Sequence, residues 1–219
     1  MQYIQQRGMG RPGSPWPQAL ARQLVHESHN EVSLINALRV EPELGSPARG
    51  GLPATVARHT AEGWRISGHK VYSTGAPILR WYVVWARTDE EVPRVGSFLV
   101  RAGSPGIRID ATWDHLGLRA SGSHDVILQD VLTPHDHALD VRLPQDWARG
   151  EPAMLAEMTV MLGALYTGVA RAARDWVVRF LRERTPANLG APLSSLPRAQ
   201  EAVGRIEALL LTNDRLIAS

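Results

Sequence analysis

A polar corner at residues 64–76 carries the strongest chemical signal in the sequence. Its letters, WRISGHKVYSTGA, begin as a strand and end in a tyrosine followed by two hydroxyl side chains, Tyr72, Ser73 and Thr74. Gly75 breaks the strand pattern, so backbone N–H groups can be exposed there. An apolar wall beside a few convergent donors suits a flat ligand with polar edges. The residues alone also allow an ordinary strand tyrosine followed by a hydroxyl-capped turn.

Two further junctions share this character, because small or hydroxyl residues stand where a strand meets a turn. They read NALRVEPELGS at residues 36–46 and LGLRASGSHDVILQDV at residues 116–131. Glycine and proline interrupt the ladder of backbone hydrogen bonds at such places. All three junctions are therefore predicted to expose backbone amides.

A dinucleotide-like pattern near the start lacks the context that its chemistry requires. GMGRPG at residues 8–13 matches GxGxxG, but that site needs a strand before the glycines and a helix opening from them. Residues 1–7 make a poor strand, and Pro12 and Pro15 obstruct a helix. We therefore predict no dinucleotide site there.

Other groups of reactive residues are interpreted as structural or solvated. Ser123, His124 and Asp125 are the residue types of a hydrolase triad, but a triad is assembled in space and strand neighbours point to opposite faces. Two histidine groups form no complete ligand set for a metal, namely His135, Asp136 and His137 with Asp140, and His26 with His29. No metal site is predicted, and Lys70 is expected to face solvent.

Composition predicts an ordinary folded protein and excludes several kinds of site. A chain of 219 residues can form one large domain or two small ones. The absence of cysteine excludes disulfides, thiolate zinc sites and a cysteine nucleophile. A net charge of +2 gives no case for nucleic-acid binding. Because no membrane-length apolar run or signal pattern is present, we expect a soluble cytoplasmic protein.

The pattern of elements predicts an α+β protein with three regions. Residues 1–33 would form a residual N-terminal helical segment, residues 34–143 a central antiparallel β-barrel, and residues 144–219 a partial C-terminal helical bundle. In the central region short strands alternate with turns and no helical period intervenes, which is typical of an antiparallel barrel or sandwich. Residues 61–63 are predicted to be a hairpin loop, and the apolar run at 81–87 a buried strand.

Helical periods mark both ends of the chain. Trp16, Leu20 and Leu24 recur at helical spacing after Pro17. A longer apolar seam in the last region indicates a long helix whose face needs a partner; its members are Leu155, Met158, Leu162, Leu165, Val169, Ala172 and Trp176. Another helix is predicted to begin near Pro197, capped by Ser194 or Ser195.

Taken in order, the three junctions resemble the central β-domain of the acyl-CoA dehydrogenases. That family carries a Thr-Glu-Pro-x-x-Gly-Ser-like turn, then Gly-x-Lys-x-(Trp/Tyr)-x-(Thr/Ser)-x-(Ala/Gly), then Gly-x-Arg-x-(Ser/Thr). The corresponding segments here are residues 40–46, 68–76 and 117–121. Arg87-Thr88 after a strand is a further similarity, and the resemblance extends from about Leu34 to the end of the sequence.

The resemblance implies a FAD site at the polar corner. Tyr72 would lie against the isoalloxazine ring, and the Thr74 hydroxyl, with Ser73 and nearby amides, would reach its N5/O4 edge. The turn of Ala37, Arg39 and Val40 would face the pyrimidine end. Donors in these positions would stabilise the negative charge that the flavin gains on accepting hydride.

Further residues take roles from the resemblance alone. Ser46 would contact the acyl-CoA, and Arg119 and Ser121 would lie near the ligand channel. Glu183-Arg184 with Leu189-Gly190 resembles the family's Arg-x-x-Phe-Gly segment, in which the arginine reaches the cofactor pyrophosphate of a neighbouring subunit. Val40 stands where the family usually has threonine, and Tyr72 where tryptophan is commoner.

The implied activity is a FAD-dependent α,β-dehydrogenation of an acyl-CoA or similar thioester. The acceptor would be an electron-transfer partner or oxygen, and the assembly a homo-oligomer, dimer or tetramer. Family members are longer, and their catalytic carboxylate usually lies in helices beyond this sequence, so a partial chain is expected and no catalytic residue is assigned. Two alternatives stay open: a flavin-dependent monooxygenase on the same scaffold, and a non-enzymatic β-barrel and helix module that binds a partner protein.

Overall fold

The computed structural model describes residues 14, 16–44, 51–147 and 152–218. The GxGxxG-like segment at 8–13 and the predicted substrate contact Ser46 lie outside these residues. The chain divides into two compact units, Met1–Trp147 and Ala148–Ser219, and each is described by itself. The described residues contain no helix that is both long and apolar enough to cross a membrane.

In its described residues the first unit has one α-helix and a mixed eight-stranded sheet. Its elements are, in order, α1 Gln18–Asn30, β1 Ile35–Leu38, β2 Val56–Thr60, β3 Gly63–Ser73, β4 Trp81–Thr88, β5 Val95–Arg101, β6 Ile107–Asp110, β7 His124–Thr133 and β8 Ala138–Arg142. The hairpin between β2 and β3 is confirmed, since Thr60 pairs with Gly63. The buried strand predicted at 81–87 is β4.

The sheet corrects the expectation of an antiparallel barrel. Strands follow the order β6-β7-β3-β2-β4-β5-β8, and β1 pairs with β4 outside this path. Both β1 and β2 run parallel to β4. The reason is that β3, after its hairpin with β2, turns to pair with β7, so that β4 returns beside the two earlier strands in their own direction. Among the described pairings, β6 and β8 lie at the two ends of this order and do not pair with each other. Closure of the sheet into a barrel is therefore not confirmed.

Two apolar clusters hold the first unit together. One lies within the sheet and includes the fully buried Ile66, Phe98 and Val126. The other fixes α1 on the sheet, where Leu20 and Leu24 pack in a group with Trp81 of β4. The predicted helical spacing of Trp16, Leu20 and Leu24 is confirmed, because all three are buried. Helical spacing therefore predicts the buried face of α1 correctly.

The end of the first unit is anchored by an aromatic contact. Trp147 packs edge-on against Trp85, with ring centroids 4.6 Å apart. Its indole N–H donates to the carbonyl of Val95 at 2.9 Å. The guanidinium of Arg142 lies over the same indole. Trp147 is thus fixed to β4 and β5 by packing and by a hydrogen bond.

The second unit is a helical hairpin of α2, Pro152–Glu183, and α3, Pro197–Ala218. Ion pairs join Arg171 to Asp214 and Arg174 to Glu207. Pro197 begins α3 as predicted, but the Ser195 hydroxyl donates to Pro192 in the 3-10 turn Leu193–Ser195. Much of the predicted apolar seam is exposed, including Leu162, Leu165, Val169 and Trp176.

Candidate cofactor-binding site

The polar corner forms where β3 ends and its backbone turns sharply. Tyr72 has a φ of 53°, a left-handed conformation that non-glycine residues rarely adopt. The pairing of β3 with β7 shifts between Lys70 and Ser73, and such a bulge re-aims side chains. Tyr72 is consequently 59% exposed while Ser73, its neighbour, is buried. A strained backbone of this kind persists only where the surrounding structure offsets its free-energy cost, and such residues cluster at functional sites.

Hydrogen bonds fix the turn after Tyr72. The Thr74 N–H donates to the Tyr72 carbonyl at 2.9 Å, and the Ala76 N–H to the Ser73 carbonyl at 2.9 Å. The hydroxyl of the buried Tyr82 donates to the Ala76 carbonyl. These bonds satisfy the amides of Thr74 and Ala76 inside the turn, so the side-chain hydroxyl of Thr74 is the better candidate donor to a ligand.

Three hydroxyl groups at the corner form a hydrogen-bonded chain. Thr74 Oγ1 lies 2.9 Å from Ser123 Oγ, which lies 2.7 Å from Ser121 Oγ. The Gly75 N–H donates to the Ser121 carbonyl at 2.8 Å. Ser123 is buried and Thr74 is exposed. When Ser121 and Ser123 donate along the chain, the proton of Thr74 is free to point outward.

An aromatic wall stands next to Tyr72, and sequence reasoning missed most of it. Trp113 meets the Tyr72 ring edge-on, with centroids 6.3 Å apart. His115 lies 6.5 Å from Tyr72 and 4.0 Å from Trp113. The Trp113 indole N–H donates to the Leu118 carbonyl at 3.1 Å. The only sequence signal is the position of Trp113 just before the third junction, because the irregular segment 111–118 has no period.

The first junction reaches the same corner. The Val71 N–H donates to the Val40 carbonyl at 3.0 Å, and the Asn36 amide donates to the Thr74 carbonyl at 2.9 Å. The Ala37 N–H is taken by the Asn36 side chain. These bonds place the first junction beside the end of β3 and the turn that follows it. The Arg39 guanidinium instead lies over the Trp85 ring.

Lys70 corrects a sequence expectation, since it is fully buried rather than solvent-facing. Its ammonium donates to Glu41 Oε1 and to the Trp85 carbonyl, both at 2.6 Å. Burial lowers the pKa of Lys70 to about 8, although the Glu41 carboxylate opposes that fall. Burial alone would raise the pKa of Glu41, but hydrogen bonds from Lys70 and Thr55 hold it below its usual value. Lys70 stands at even spacing after Trp64 and Ile66, on the same buried face of β3, and the pairing shift toward Ser73 comes after it.

The remaining predicted site residues are more scattered. Arg119 is exposed and pairs loosely with Asp114 at 3.8 Å. Ser73 Oγ is buried without a hydrogen-bond partner among the described residues, an orphaned polar atom beside the candidate site. Arg184 belongs to the second unit, where its N–H donates to Phe180 and its carbonyl accepts from Leu193.

The histidines of the first unit have local partners. His69 Nε2 lies 2.6 Å from Asp125 Oδ2, and Thr112 donates to the other carboxylate oxygen. His137 Nδ1 lies 2.9 Å from the Leu99 carbonyl. No three metal-ligating side chains gather within the described ranges. Residues 28–34 line an open surface depression, and none of the polar-corner residues belongs to its lining.

The corner fits one edge of a flavin ring by the chemistry of its groups. Tyr72 and Trp113 provide aromatic surface, and the exposed Thr74 hydroxyl is backed by a buried hydroxyl. Flat cofactors are held by such a wall and a few placed polar groups. Hydrogen bonds hold Thr74 to Ser123 beside β7, and Trp113 to Leu118 within the irregular segment.

Comparison with known proteins agrees with the resemblance. Residues 39–131 match the family described as acyl-CoA dehydrogenase, middle domain. The putative acyl-CoA dehydrogenase YdbM of Bacillus subtilis is 32% identical over 199 residues, which are 91% of this chain and 50% of that protein. The resemblance to the acyl-CoA dehydrogenase family is confirmed, and residues 39–131 carry its middle domain.

Solved structures extend the comparison to bound molecules. KijD3, solved with FMN and a dTDP-linked amino sugar, is 29% identical with a TM-score of 0.66, over 92% of this chain and 49% of that one. A glutaryl-CoA dehydrogenase of Mycobacterium smegmatis, solved with FADH2, has a TM-score of 0.77 at 22% identity, over 97% and 52%. The latter likeness shows the fold alone. The chain spans about half the length of the curated relatives it matches, 50% and 42% for the first two.

Proposed function

We propose that this chain contributes the flavin-facing part of an acyl-CoA dehydrogenase-like flavoprotein that binds FAD and oxidises an acyl thioester. One observation carries the proposal: the strained, exposed Tyr72 stands beside the Thr74–Ser123–Ser121 hydroxyl chain. The family match and the FMN bound to KijD3 support the same conclusion.

When bound, the flavin supplies the acceptor for a hydride from the substrate. In the proposed arrangement the Tyr72 ring would lie against the flavin and keep water from it. Thr74 Oγ1 would donate to the flavin edge, with its hydroxyl oriented by Ser123. A donor fixed in advance stabilises charge that develops during the reaction, because it needs no reorganisation.

The substrate half of the proposal rests on the family. Dehydrogenation of an acyl thioester removes a proton from the α-carbon and a hydride from the β-carbon, so it needs a base as well as the flavin. We assign no residue to that role. Ser46, Arg119 and Ser121 remain proposed substrate contacts, Arg184 a proposed pyrophosphate contact in a neighbouring subunit, and residues 1–33, 34–143 and 144–219 the proposed domains.

A flavin titration tests the proposal most directly. The purified chain is titrated with FAD, and binding is followed by quenching of flavin fluorescence. We expect Tyr72→Ala and Thr74→Ala to weaken binding about tenfold, because each removes a contact of ~1–2 kcal/mol. Tyr166→Ala and Thr212→Ala are matched controls, since Tyr166 is an exposed tyrosine and Thr212 an exposed threonine of the second unit. Equal affinity for all five proteins would refute the site.

A flavin-dependent monooxygenase on the same scaffold is the second candidate. The similarity to KijD3 suggests a substrate for this candidate other than an acyl thioester, because that structure holds a dTDP-linked sugar in addition to FMN. Thermal-shift titrations with a CoA thioester and with dTDP, each on the flavin-loaded protein, separate the two. Stabilisation by the thioester alone supports the dehydrogenase, and stabilisation by dTDP alone supports the alternative. A chain that binds neither flavin nor either ligand fits the non-enzymatic module.

A further inference from the structure

A buried ion pair fastens four segments of the first unit next to the candidate site. The side chains of Lys70 and Glu41 are 0% and 2% exposed, and Lys70 Nζ lies 2.6 Å from Glu41 Oε1. Glu41 also accepts from the Ala54 N–H at 2.7 Å and from the Thr55 hydroxyl at 2.5 Å. Lys70 also donates to the Trp85 carbonyl at 2.6 Å. Both carboxylate oxygens of Glu41 and two of the three N–H donors of Lys70 are therefore hydrogen-bonded, which fixes the orientation of both side chains.

Lys70 is the single lysine of the sequence, against 23 arginines. All the lysine and arginine side chains except Lys70 are arginines. Among the described residues, Lys70 is also the one of them that is buried. A guanidinium is broader and needs a planar set of acceptors. The acceptors around Lys70 are one carboxylate oxygen and one backbone carbonyl from different segments, and these suit a point charge.

Overall stability gives little reason for such a pair. The cost of removing two charges from water offsets most of their attraction, and an apolar pair of similar volume often serves as well. Buried ionic groups can instead specify one arrangement among several. In this protein, the ion pair would specify the distance between the first junction and the end of β3.

The positions of the pair in the chain show which segments it joins. Glu41 directly follows Val40, and Lys70 directly precedes Val71. The Val71 N–H donates to the Val40 carbonyl at 3.0 Å. The ion pair and this backbone bond therefore connect the same two segments side by side. Tyr72 is the next residue after Val71, so any slip between the segments would displace the Tyr72 ring relative to Val40.

We infer that Lys70 and Glu41 are positioning residues, which hold the segment of Val40 against the end of β3 and so set the width of the flavin-facing corner. The flavin part of this inference rests on the proposed function, whereas the positioning of the two segments does not. Besides Glu41, Arg39 is the charged side chain in the described part of the protein that affects the pKa of Lys70. Its guanidinium stays over Trp85 and does not replace the ammonium.

The decisive variants separate charge burial from positioning. Lys70→Met leaves a buried carboxylate unpaired, so its thermal stability should fall. The double variant Lys70→Met/Glu41→Gln removes both charges and should recover part of that stability. Neither variant retains a bond from residue 70 to residue 41. We expect the hydrogen-exchange protection of the Val71 amide to fall about tenfold in both, while amides between β4 and β5 keep theirs.

Flavin affinity is measured on the same proteins. We expect the FAD dissociation constant to rise by a similar factor in both variants, although their melting temperatures differ. A double variant with the protection at Val71 and the FAD affinity of the original chain would overturn the inference. If the original chain binds no FAD while Val71 loses protection in the variants, the proposed function fails and the positioning role stands.

An experiment without any mutation covers the case in which the variants do not fold. Labelling with 15N-lysine gives one side-chain signal, because the sequence has one lysine. As pH rises and that signal reports loss of the Lys70 proton, the protection factor at Val71 should fall relative to amides of β4. An unchanged ratio through the titration would contradict the positioning role.

Discussion

The hydroxyl oxygens of Thr74 and Ser123 lie 2.9 Å apart, although 49 positions separate the two residues. Ser123 is buried and has a second partner in Ser121. It therefore orients the exposed Thr74 hydroxyl from behind, and the orientation depends on the pairing of β3 with β7. This relationship makes Ser123, which has no solvent-facing role, a determinant of flavin affinity in the proposed site.

Ser123→Ala should weaken FAD binding about fivefold, because Thr74 loses the partner that orients its proton and one hydrogen bond is worth ~1 kcal/mol. Fluorescence titration measures the change. Ser104→Ala serves as control, since the half-buried Ser104 hydroxyl bonds only to the nearby Arg101 carbonyl among the described contacts. The prediction fails if both variants bind FAD equally well.

Tyr72→Gly and Tyr72→Ala should have the same poor flavin affinity but different stability. Both lose the ring, but only glycine accepts the left-handed backbone without strain. We expect the free energy of unfolding of the glycine variant to exceed that of the alanine variant by ~1 kcal/mol. Urea denaturation measures the difference. At Leu132, an exposed strand position, glycine should be the less stable of the same pair.

The stability of the protein should depend on pH through Lys70. Its pKa is about 8 in the folded chain against 10.5 for the ordinary side chain. Between these values the unfolded chain holds more protons, so the free energy of unfolding rises with pH from this group alone. Urea denaturation at pH 7 and pH 10 should therefore show the original chain gaining on Lys70→Met as pH rises. A constant difference between the two proteins would exclude the lowered pKa.

The helical hairpin should self-associate through its exposed apolar side chains. Leu165 and Val169 are 61% and 64% exposed on α2, and exposed apolar patches mark interaction surfaces. Leu165→Lys combined with Val169→Lys should lower the mass found by size-exclusion chromatography with light scattering. Val92→Lys changes an exposed valine of the first unit and should leave the mass unaltered. A clean monomer for the original chain would count against the association.

Local sequence patterns predicted where the strands and helices lie, but not which strands pair with each other. The alternation around residues 61–63 marked the β2–β3 hairpin, because a short turn fixes which strands meet. Nothing local shows that β1 and β2 run parallel to β4, since that pairing depends on where β3 goes afterwards. The expectation of an antiparallel barrel assumed that neighbouring strands pair as hairpins do. That assumption fails for β1, β2 and β4, which are not joined by hairpins.

The candidate site was predictable where motifs cover it and not elsewhere. Tyr72, Thr74 and Val40 lie in segments whose order matches a family pattern. Trp113 lies in an irregular segment without a period, and only its distance from Tyr72 makes it part of the wall. Lys70 lies on the buried face of β3 together with Trp64 and Ile66, so alternation along the strand was a signal for its burial. Its rarity in an arginine-rich chain is a second signal.

Trp147 is a suitable last residue for a recombinant fragment of the first unit. Trp147 covers Trp85 and bonds to Val95, so a recombinant fragment that stops just after it retains this closing contact. A fragment shorter by that single residue would uncover Trp85 and leave the Val95 carbonyl without its indole donor. The proposed flavin site can therefore be tested in a piece that ends at residue 147, separately from the helical hairpin.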